Sequence, residues 1–377
     1  MNRKSVWNIL LAVGIVCYMM NILTCYGSAK GSFSKKAPKG MMATAVGNRV
    51  ALSWEAVTGA QGYEIYEGIA IKGKISYTKA ADIRQCSKVF VRNAAGTTYY
   101  YYVRAYTKKA GQSPFYGKAG KEVSTTLPVT GQSTIRNFLQ TAVAPIGSTM
   151  YVWGGGWNKE DTGAGKEARR IGLSASWRRF AKNKTAKYNY RDYRYRIHDG
   201  LDCSGYVGWC IYNIRNTTNN KSGYVYSASK QAKKFAEKGF GTYTERNKVK
   251  NYKAGDIMSS TCKCCGHVWI VIGACDDGSV VLVHSSPAGV QLSGTTTPQG
   301  KKKSEAYKLA QKYMKKFYKS WYNRYPNVSK GTSYLSHYAQ MRWKTTGEGI
   351  VLSDPDGYRN MSAEEVLKDL FHWSSNQ

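Results

Sequence analysis

The sequence is short of acidic side chains: 23 Asp and Glu stand against 56 Lys and Arg in 377 residues, so the formal net charge is +33. Charged residues make up only 21% of the chain and hydrophobic residues 42%, a balance that excludes wholesale disorder. The excess of cations, together with 30 tyrosines, favours an anionic partner: nucleic acid, a membrane face or a phosphate-bearing cell-wall polymer. At about 150 residues per domain, the length predicts two to three domains.

The first 29 residues have the layout of a secretory signal. A basic region at residues 3–4 precedes a mostly apolar run over 6–23, and small residues follow at 27–29. A retained membrane anchor is the alternative, because the run approaches the length of a bilayer span. A lipid anchor at Cys25 is disfavoured by the threonine before it. We do not expect an exported protein to have nucleic acid as its partner. Contact with the membrane would occur only through an uncleaved N-terminal segment.

Removal of the signal changes the charge and the cysteine count. The mature chain carries 54 − 23 = +31 charges, because only Arg3 and Lys4 are lost. Two of the nine cysteines also leave, and the seven that remain are an odd number. At least one thiol is therefore unpaired within a monomer, while an oxidising compartment permits bridges among the others.

Residues 41–127, after a solvated linker at 30–40, have an all-β pattern. Val50, Leu52 and Trp54 alternate with Ala51 and Ser53, and residues 100–106 divide in the same way between the two faces of a strand. Gly-containing turns separate these runs. No helix-period segment interrupts the pattern. The stretch contains no histidine, and Cys86 is its one cysteine.

This stretch resembles a fibronectin type III domain over roughly residues 37–127. The resemblance rests on three segments: Leu52-Ser53-Trp54, Gly62-Tyr63-Glu64-Ile65-Tyr66, and Gly96-Thr97-Thr98-Tyr99 leading into Tyr102-Val103-Arg104-Ala105-Tyr106. It implies a small antiparallel sandwich with Trp54 packed between its two sheets. We expect a spacer or adhesive role, because the fold alone gives no function. Residues 128–132 then form a second linker.

The remainder of the chain carries residues suited to chemistry. A helical pattern over 133–144 is followed by three consecutive glycines at 154–156, where the backbone can turn sharply or approach a neighbour closely. Asp202 fits a helix N-cap and would place Cys203 on the first turn of that helix. Backbone N–H groups and the positive end of the helix dipole stabilise a thiolate there, which is the reactive form.

Two histidines adjoin apolar β-runs. His267 precedes the run 268–273, His284 lies near the end of the run 280–286, and a turn at 276–278 pairs the runs as a hairpin. Two such strands can bring the imidazoles together. A cysteine at a helix start with two neighbouring histidines is the nucleophile, base and orienting group of covalent catalysis. Taken singly, each of these residues is more often structural.

Over residues 133–298 the sequence resembles the NlpC-type cysteine peptidases of bacterial cell walls, which have a papain-like α+β fold. The resemblance is carried by ordered motifs: Tyr151-Val152-Trp153-Gly154-Gly155, Asp202-Cys203-Ser204-Gly205-Tyr206-Val207, Gly255-Asp256, His267-Val268-Trp269-Ile270-Val271-Ile272-Gly273 and Val283-His284-Ser285. The predicted architecture is therefore multidomain: a fibronectin type III-like sandwich followed by a papain-like domain over 133–377, with insertions at about 158–198 and 299–344.

The resemblance also implies a chemistry. It makes Cys203 the nucleophile, His267 the general base and His284 the residue that orients His267. It places Tyr151 near the nucleophile, and the same motifs supply Trp153, Asp202 and Ser204 as further candidates for contact with the substrate or the oxyanion.

The implied substrate is peptidoglycan. The cleaved bond is an amide of the stem peptide, usually that from γ-D-glutamyl to the diamino acid, and no cofactor is required. Anionic wall polymers such as teichoic acids are a further expected partner for so basic a protein. We therefore predict a secreted or cell-wall-associated bacterial protein.

Metal binding is the rival chemistry. Cys262, Cys264 and Cys265 stand next to His267 and crowd enough soft ligands to suggest zinc. Two adjacent cysteines do not readily bind one tetrahedral ion together unless a further ligand comes from a distant segment. A metal bound to His267 would also prevent that residue from acting as a base. We therefore predict no metal, and favour redox pairing or an oxidation-sensitive loop near Cys203.

The C-terminal part contains a lysine-rich helix predicted from Lys301 through Trp321. Its lysines either face solvent or dock on teichoic-acid phosphates or membrane headgroups. A final helix is predicted over Ser362 to Phe371, with Ser362 and Glu365 as a capping box.

Two other functions stay open beside a wall endopeptidase. One is an N-acetylmuramoyl-L-alanine amidase, and the other is a wall-binding protein whose peptidase fold has lost turnover. All candidate catalytic side chains are present, which favours an enzyme.

Overall fold

The computed structural model describes residues 32–46, 49–71, 74–92, 94, 96–127, 133–215, 222–261 and 266–375. Internal contacts divide these described residues into two compact units, one formed from the ranges 32–41, 53–88 and 99–124, and the other from 42–52, 89–98 and 125–375. The predicted signal segment, the linker at 128–132, and Cys262, Cys264 and Cys265 lie outside the described residues.

Residues 32–127 are β-structure throughout their described part, which confirms the all-β prediction for this stretch. The eight strands are β1 (Met42–Val46), β2 (Arg49–Ser53), β3 (Gly62–Ile71), β4 (Lys74–Ile83), β5 (Ser87–Val91), β6 (Thr98–Thr107), β7 (Phe115–Ala119) and β8 (Val123–Thr126). They form a three-stranded sheet β1-β2-β5 and a five-stranded sheet β4-β3-β6-β7, with β8 paired to β6.

The alternation along β6 is confirmed as an alternation of burial. Tyr101 and Val103 are fully buried, whereas Tyr100 and Tyr102 between and beside them are half-buried. Trp54, which follows β2, is buried and meets Tyr63 of β3 edge-on with ring centroids 5.5 Å apart. Edge-to-face contact between large rings is a favourable way to fill a core.

The chain from 133 onward contains both helices and strands. The strands are β9 (Ser133–Thr134), β10 (Met150–Tyr151), β11 (Gly200–Leu201), β12 (Gly241–Thr244), β13 (Ile257–Ser260), β14 (Val268–Ala274), β15 (Val280–Ser286), β16 (Gly289–Thr295), β17 (Ser329–Lys330), β18 (Tyr338–Trp343) and β19 (Leu352–Ser353). Nine of them form one sheet in the order β11-β10-β16-β15-β14-β13-β18-β12, with β17 beside β16. Strands β9 and β19 pair separately.

Eight helices accompany these strands in the described part of the chain. They are α1 (Ile135–Val143), α2 (Ala175–Lys182), α3 (Cys203–Arg215), α4 (Gln231–Glu237), α5 (Glu305–Phe317), α6 (Lys319–Arg324), α7 (Ser333–Ser336) and α8 (Ala363–Ser375). Helix α3 contacts α1, β14 and β15, and its residues 203–214 are all buried. Such burial on every side explains why its apolar residues do not form a single stripe.

Three helix predictions are tested by these bounds. Helix α1 and helix α8 are confirmed, and Ser362 and Glu365 exchange the reciprocal bonds of a capping box at the start of α8. The single helix predicted from Lys301 through Trp321 is wrong, because Ser304 caps α5 and Tyr318 separates α5 from α6 with non-helical backbone angles (φ −131°, ψ 41°). Ser304 accepts the N–H of Tyr307, so the helix begins after the lysine triplet.

The two predicted insertions contain ordered structure. Residues 158–198 hold α2 and a short 3-10 helix at Tyr190–Tyr193. Residues 299–344 hold α5, α6 and α7, and they also supply β18, which lies between β13 and β12 in the main sheet. Among the described residues, none of the helices is both long and apolar enough to cross a membrane.

Candidate active site

The candidate nucleophile Cys203 is the first residue of helix α3, where the sequence placed it. Asp202 caps the helix: one carboxylate oxygen accepts the N–H of Gly205 at 2.7 Å and the hydroxyl of Ser204 at 2.8 Å. The other oxygen accepts the N–H of Gly154 at 3.2 Å. The cap thus ties the helix start to the glycine segment, and it fixes the position of the Cys203 backbone.

The three glycines provide the close approach that the sequence predicted. Gly154 and Gly156 have φ values of 80° and 93°, a left-handed region that side chains rarely adopt. A Cβ on Gly205 would lie 2.0 Å from the carbonyl oxygen of Gly155. Only glycine fits on both sides of this contact, so the segment packs directly on the first turn of α3.

Asp202 and Ser204 are bonded within the cap. Both side chains are buried, and Ser204 accepts the indole N–H of Trp157 at 3.0 Å while it donates to Asp202. The cap therefore holds the start of the helix in place. Contact of these two residues with the substrate or the oxyanion stays a prediction.

The sulfur of Cys203 lies 4.0 Å from the carbonyl oxygen of Gly266, the residue before His267. The backbone N–H groups of Val268, Ser204 and Cys203 each act to lower the pKa of the sulfur. The predicted neighbourhood of helix start and histidine strand is thus present in the structure.

The two candidate histidines are in direct contact. Nε2 of His267 and Nδ1 of His284 are 2.9 Å apart, with the rings inclined at 72°. Strands β14 and β15 are antiparallel neighbours, as the hairpin pattern predicted; His267 directly precedes β14 and His284 lies on β15. His284 is fully buried, whereas His267 is half-buried.

Residues that the sequence did not single out extend this pair. Nε2 of His284 lies 3.1 Å from the hydroxyl of Ser293 on β16, and both residues are fully buried. The ring of Tyr334 on α7 lies 5.8 Å from the ring of His267 and 6.2 Å from that of His284. Lys330 on β17 is near enough to lower the pKa of both histidines by repulsion. The segment 299–344 therefore contributes to the surroundings of the histidine pair.

Tyr151 ends β10, which pairs in parallel with β11 shortly before Cys203. Its side chain is largely buried, and its pKa is raised well above the usual value by burial and by the charges that Cys203 and Asp202 would carry. Its hydroxyl has no hydrogen-bond partner within the described part of the chain. The backbone carbonyl of Tyr151 accepts the hydroxyl of Tyr188 at 2.6 Å. Tyr151 is thus an available donor near the sulfur.

Trp153 lies two residues further on and is 44% exposed. The guanidinium of Arg194 stands 5.4 Å above its ring. The side chain of Trp153 is therefore accessible to solvent. A cavity of about 230 Å³ is bounded by Tyr188, Ala288 and Tyr325 among others, and Trp153 is not part of its lining.

The electrostatics differ from the sequence expectation of an ionised sulfur. Burial, and then the carboxylate of Asp202, raise the pKa of Cys203 to about 12 despite the three N–H groups. Burial lowers the pKa of His267 to about 3, helped by Lys330. The resting pair is therefore a thiol beside a neutral imidazole. The helix dipole is too weak to offset removal of the sulfur from water.

Metal ligation finds no support in the described residues, where no group of three or more His, Cys, Asp or Glu side chains could hold an ion. Cys262, Cys264 and Cys265 are not described, so the zinc alternative stays open on their account. Among the described cysteines, Cys203, Cys210 and Cys275 are free thiols.

Comparisons with known proteins concern a fraction of the chain. No family model matches the sequence, and no curated protein is significantly similar to it. Similar solved structures are fibronectin type III domains. An Fn3-like protein from Clostridium thermocellum has 28% identity over 25% of this chain and 96% of that chain, with a TM-score of 0.21.

Two further solved structures have a similar coverage of this chain and a similar TM-score. The fn3 domain of the human collagen alpha-1(XX) chain has 19% identity over 29% of this chain and 98% of that chain, with a TM-score of 0.22. The twitchin kinase region from C. elegans has 21% identity over 26% of this chain, with a TM-score of 0.22, and the match spans 17% of the twitchin chain. The structural neighbours of this protein are thus fibronectin type III domains, similar over about a quarter of its length.

Proposed function

We propose that this protein is a secreted cysteine endopeptidase that cleaves an amide bond of peptidoglycan stem peptides through Cys203, His267 and His284. One observation carries the proposal: Nε2 of His267 and Nδ1 of His284 are 2.9 Å apart, and the sulfur of Cys203 lies 4.0 Å from the carbonyl oxygen of Gly266, the residue before His267. A nucleophile, a base and an orienting group that neighbour each other in this order form a constellation that catalyses acyl transfer.

The contacts of His284 determine which ring nitrogens of the two histidines carry a hydrogen in this proposal. Nε2 of His267 is occupied by His284, so Nδ1 is the nitrogen left to accept a proton from Cys203. Nε2 of His267 then carries a hydrogen and donates it to Nδ1 of His284. His284 in turn donates from Nε2 to the hydroxyl of Ser293. This chain of donors fixes the tautomer of the base.

The reaction starts from a neutral pair. As the sulfur of Cys203 attacks the carbonyl carbon, its proton passes to Nδ1 of His267 and a carbon–sulfur bond forms. The negative oxygen is stabilised by the N–H of Cys203 and by the hydroxyl of Tyr151. The imidazolium of His267 then gives its proton to the leaving nitrogen and the carbon–nitrogen bond breaks. Water hydrolyses the thioester with His267 as the base.

The substrate class rests on the resemblance of the motifs to NlpC-type peptidases. The bond from γ-D-glutamyl to the diamino acid is the one that these motifs imply. The net charge of +33 supports a site of action on an anionic envelope. The apolar segment at 6–23 supports export.

The test uses purified peptidoglycan, with mass analysis of the fragments released by wild type and by Cys203→Ala. Wild type is expected to release peptides that begin at the diamino acid and to leave the glutamyl residue on the glycan, and the variant is expected to release none. Cys210→Ala is the matched control, because Cys210 is another buried cysteine of the same helix. Equal release by wild type and Cys203→Ala would contradict the proposal. Release of whole stem peptides would instead identify an N-acetylmuramoyl-L-alanine amidase.

A wall-binding protein without turnover is the second candidate. Cys203 is only 5% exposed, and its raised pKa keeps the sulfur protonated. Both features suit a structural cysteine as well as a nucleophile that awaits its substrate. Binding of wild type to peptidoglycan without any released fragment would favour this candidate.

A further inference from the structure

The first insertion presents a dense cationic surface. Between Ala175 and Asp199, seven lysine and arginine side chains are exposed, at positions 178, 179, 182, 187, 191, 194 and 196. Asp192 is the one exposed carboxylate of this segment, and Asp199 is half-buried in an ion pair with Arg196. Exposed cations at this density, with few carboxylates among them, attract polyanions by a long-range field.

The arginines of this surface are held over aromatic rings. The guanidinium of Arg191 stands 5.1 Å above the ring of Tyr190, and that of Arg194 stands 5.4 Å above Trp153. Stacking leaves the edge of a guanidinium free to donate two parallel hydrogen bonds. Such an edge matches the oxygens of a phosphate better than a mobile ammonium does.

The surface is fixed to the segment that flanks the candidate nucleophile. The ring of Tyr190 packs edge-on against Tyr151 at 5.3 Å, and the N–H of Tyr195 donates to the carbonyl of Trp153 at 2.8 Å. Tyr195 has a φ of 58°, which a tyrosine rarely adopts, and its ring is 62% exposed. A non-glycine residue kept in this conformation presents its ring to solvent beside Trp153.

We propose that the Arg–Tyr surface formed by Trp153, Lys187, Arg191, Arg194 and Tyr195 binds the phosphate groups of a polyol-phosphate wall polymer alongside the cleavage site. Helix α5 and the residues before it carry an equally dense set of exposed lysines. Charge alone does not choose between the two surfaces. The stacked guanidinium groups favour the first surface, because one stands over Trp153 and the other over Tyr190, whose ring contacts Tyr151.

This inference rests on the proposed function only for the source of the polymer, so its test uses inactive Cys203→Ala protein. Binding to poly(glycerol phosphate) is measured by titration at low and at physiological salt. Lys187→Gln/Arg191→Gln/Arg194→Gln should weaken binding by about tenfold or more and flatten its salt dependence, because three phosphate contacts are lost. Dextran, a neutral glycan, should not bind.

The matched control removes the same charge elsewhere. Lys308→Gln/Lys315→Gln/Lys316→Gln on α5 should change the affinity by less than about threefold, as expected for a general field screened by salt. Equal losses in both triple variants, or no loss in the first, would overturn the proposal. An oligothymidylate that binds as tightly as the polymer would also overturn it, in favour of a nucleic-acid surface.

Folding and stacking are checked separately. Both triple variants should melt within a few degrees of the parent protein, because the substituted side chains are exposed. Should the first variant fail to fold, Arg191→Lys/Arg194→Lys takes its place. It keeps the charge but loses the planar fork, and it should still weaken binding measurably. An unchanged affinity there would overturn the assigned role of the stacked arginines.

Discussion

Two buried carboxyl groups, one in each part of the chain, have opposite surroundings. Glu64 of β3 accepts Lys79 at 2.8 Å and the hydroxyls of Tyr66 and Tyr116 at 2.7 and 2.9 Å. Burial alone would raise its pKa, but these bonds outweigh burial and the pKa is lowered. Asp202 has only neutral donors, and burial raises its pKa to about 6. A cation stabilises one carboxylate, whereas the other depends on backbone and hydroxyl groups.

The same contrast extends to the tyrosines and histidines. Around Glu64, half-exposed tyrosines donate to the carboxyl group and stack on each other, as Tyr66 does on Tyr102 at 4.7 Å. Around Cys203, the hydroxyl of Tyr151 and Nδ1 of His267 are the polar atoms that the proposed reaction uses. Satisfied networks give rigidity, while groups with shifted pKa values cluster at reactive sites.

The largest expected effect separates a catalytic histidine from an ordinary one. His267→Ala should lower kcat/KM on peptidoglycan fragments by about a thousandfold or more, because no base remains to take the proton of Cys203. His198 is exposed and lies 3.5 Å from Glu167, outside the site. His198→Ala is the control, and it should leave the rate nearly unchanged. Equal rates for wild type and His267→Ala would remove His267 from the mechanism.

The next prediction concerns the protonation state of the sulfur. Because the pKa of Cys203 is about 12, its thiolate fraction increases about tenfold with each unit of increasing pH until the pH approaches 12. Alkylation by iodoacetamide, followed by mass mapping of Cys203, should therefore accelerate by about a hundredfold between pH 7 and pH 9. A plateau between pH 5 and pH 8 would instead reveal a thiolate–imidazolium pair.

Isosteric amides sharpen the comparison of the two carboxyl groups. Asp202→Asn should cost about 2–3 kcal/mol of unfolding free energy, because an amide NH₂ would face the fixed N–H of Gly154 or Gly205. Glu64→Gln should cost about 1 kcal/mol or less, since the hydroxyl of Tyr66 can rotate to accept and Lys79 is half-exposed. Urea unfolding of both variants measures the difference. Equal costs would mean that the donors around Asp202 adapt as freely as those around Glu64.

The smallest expected effect concerns orientation of the base. His284→Gln should lower kcat by about tenfold to a hundredfold and leave KM nearly constant, because His267 loses the partner that fixes its tautomer. Ser293→Ala should cost only a few-fold, since Ser293 acts through His284. Both variants should also alter the pH profile of kcat, a change that a purely structural role would not produce. Unaltered profiles would exclude positioning by either residue.

The local parts of the candidate site follow from the sequence. The N-cap at Asp202, the glycine contact at 154–156 and the hairpin that joins His267 to His284 each depend on residues close in the chain or on a two-residue period. Such signals are readable because backbone geometry constrains them directly. The alternation along β6 was predictable for the same reason.

Other parts depend on packing between distant segments. Ser293 could have been suspected from the run Val290-Gln291-Leu292-Ser293, in which polar residues alternate with apolar ones beside the strand of His284. Tyr334 and Lys330 carry no such signal. The raised pKa of Cys203 could not be read from the helix start, because burial depends on the whole fold. The break at Tyr318 likewise lies in a stretch whose helical period continues across it.

A covalent intermediate on Cys203 is the most direct test of the central claim. Muropeptides are mixed with the protein, the reaction is quenched in acid within the first turnovers, and the mass of the Cys203 peptide is determined. The proposed mechanism predicts a thioester that joins Cys203 to the acyl part of the stem peptide in wild type, and none in His267→Ala. Hydrolysis that proceeds at the wild-type rate in Cys203→Ala, with no adduct on Cys203 in wild type, would contradict it.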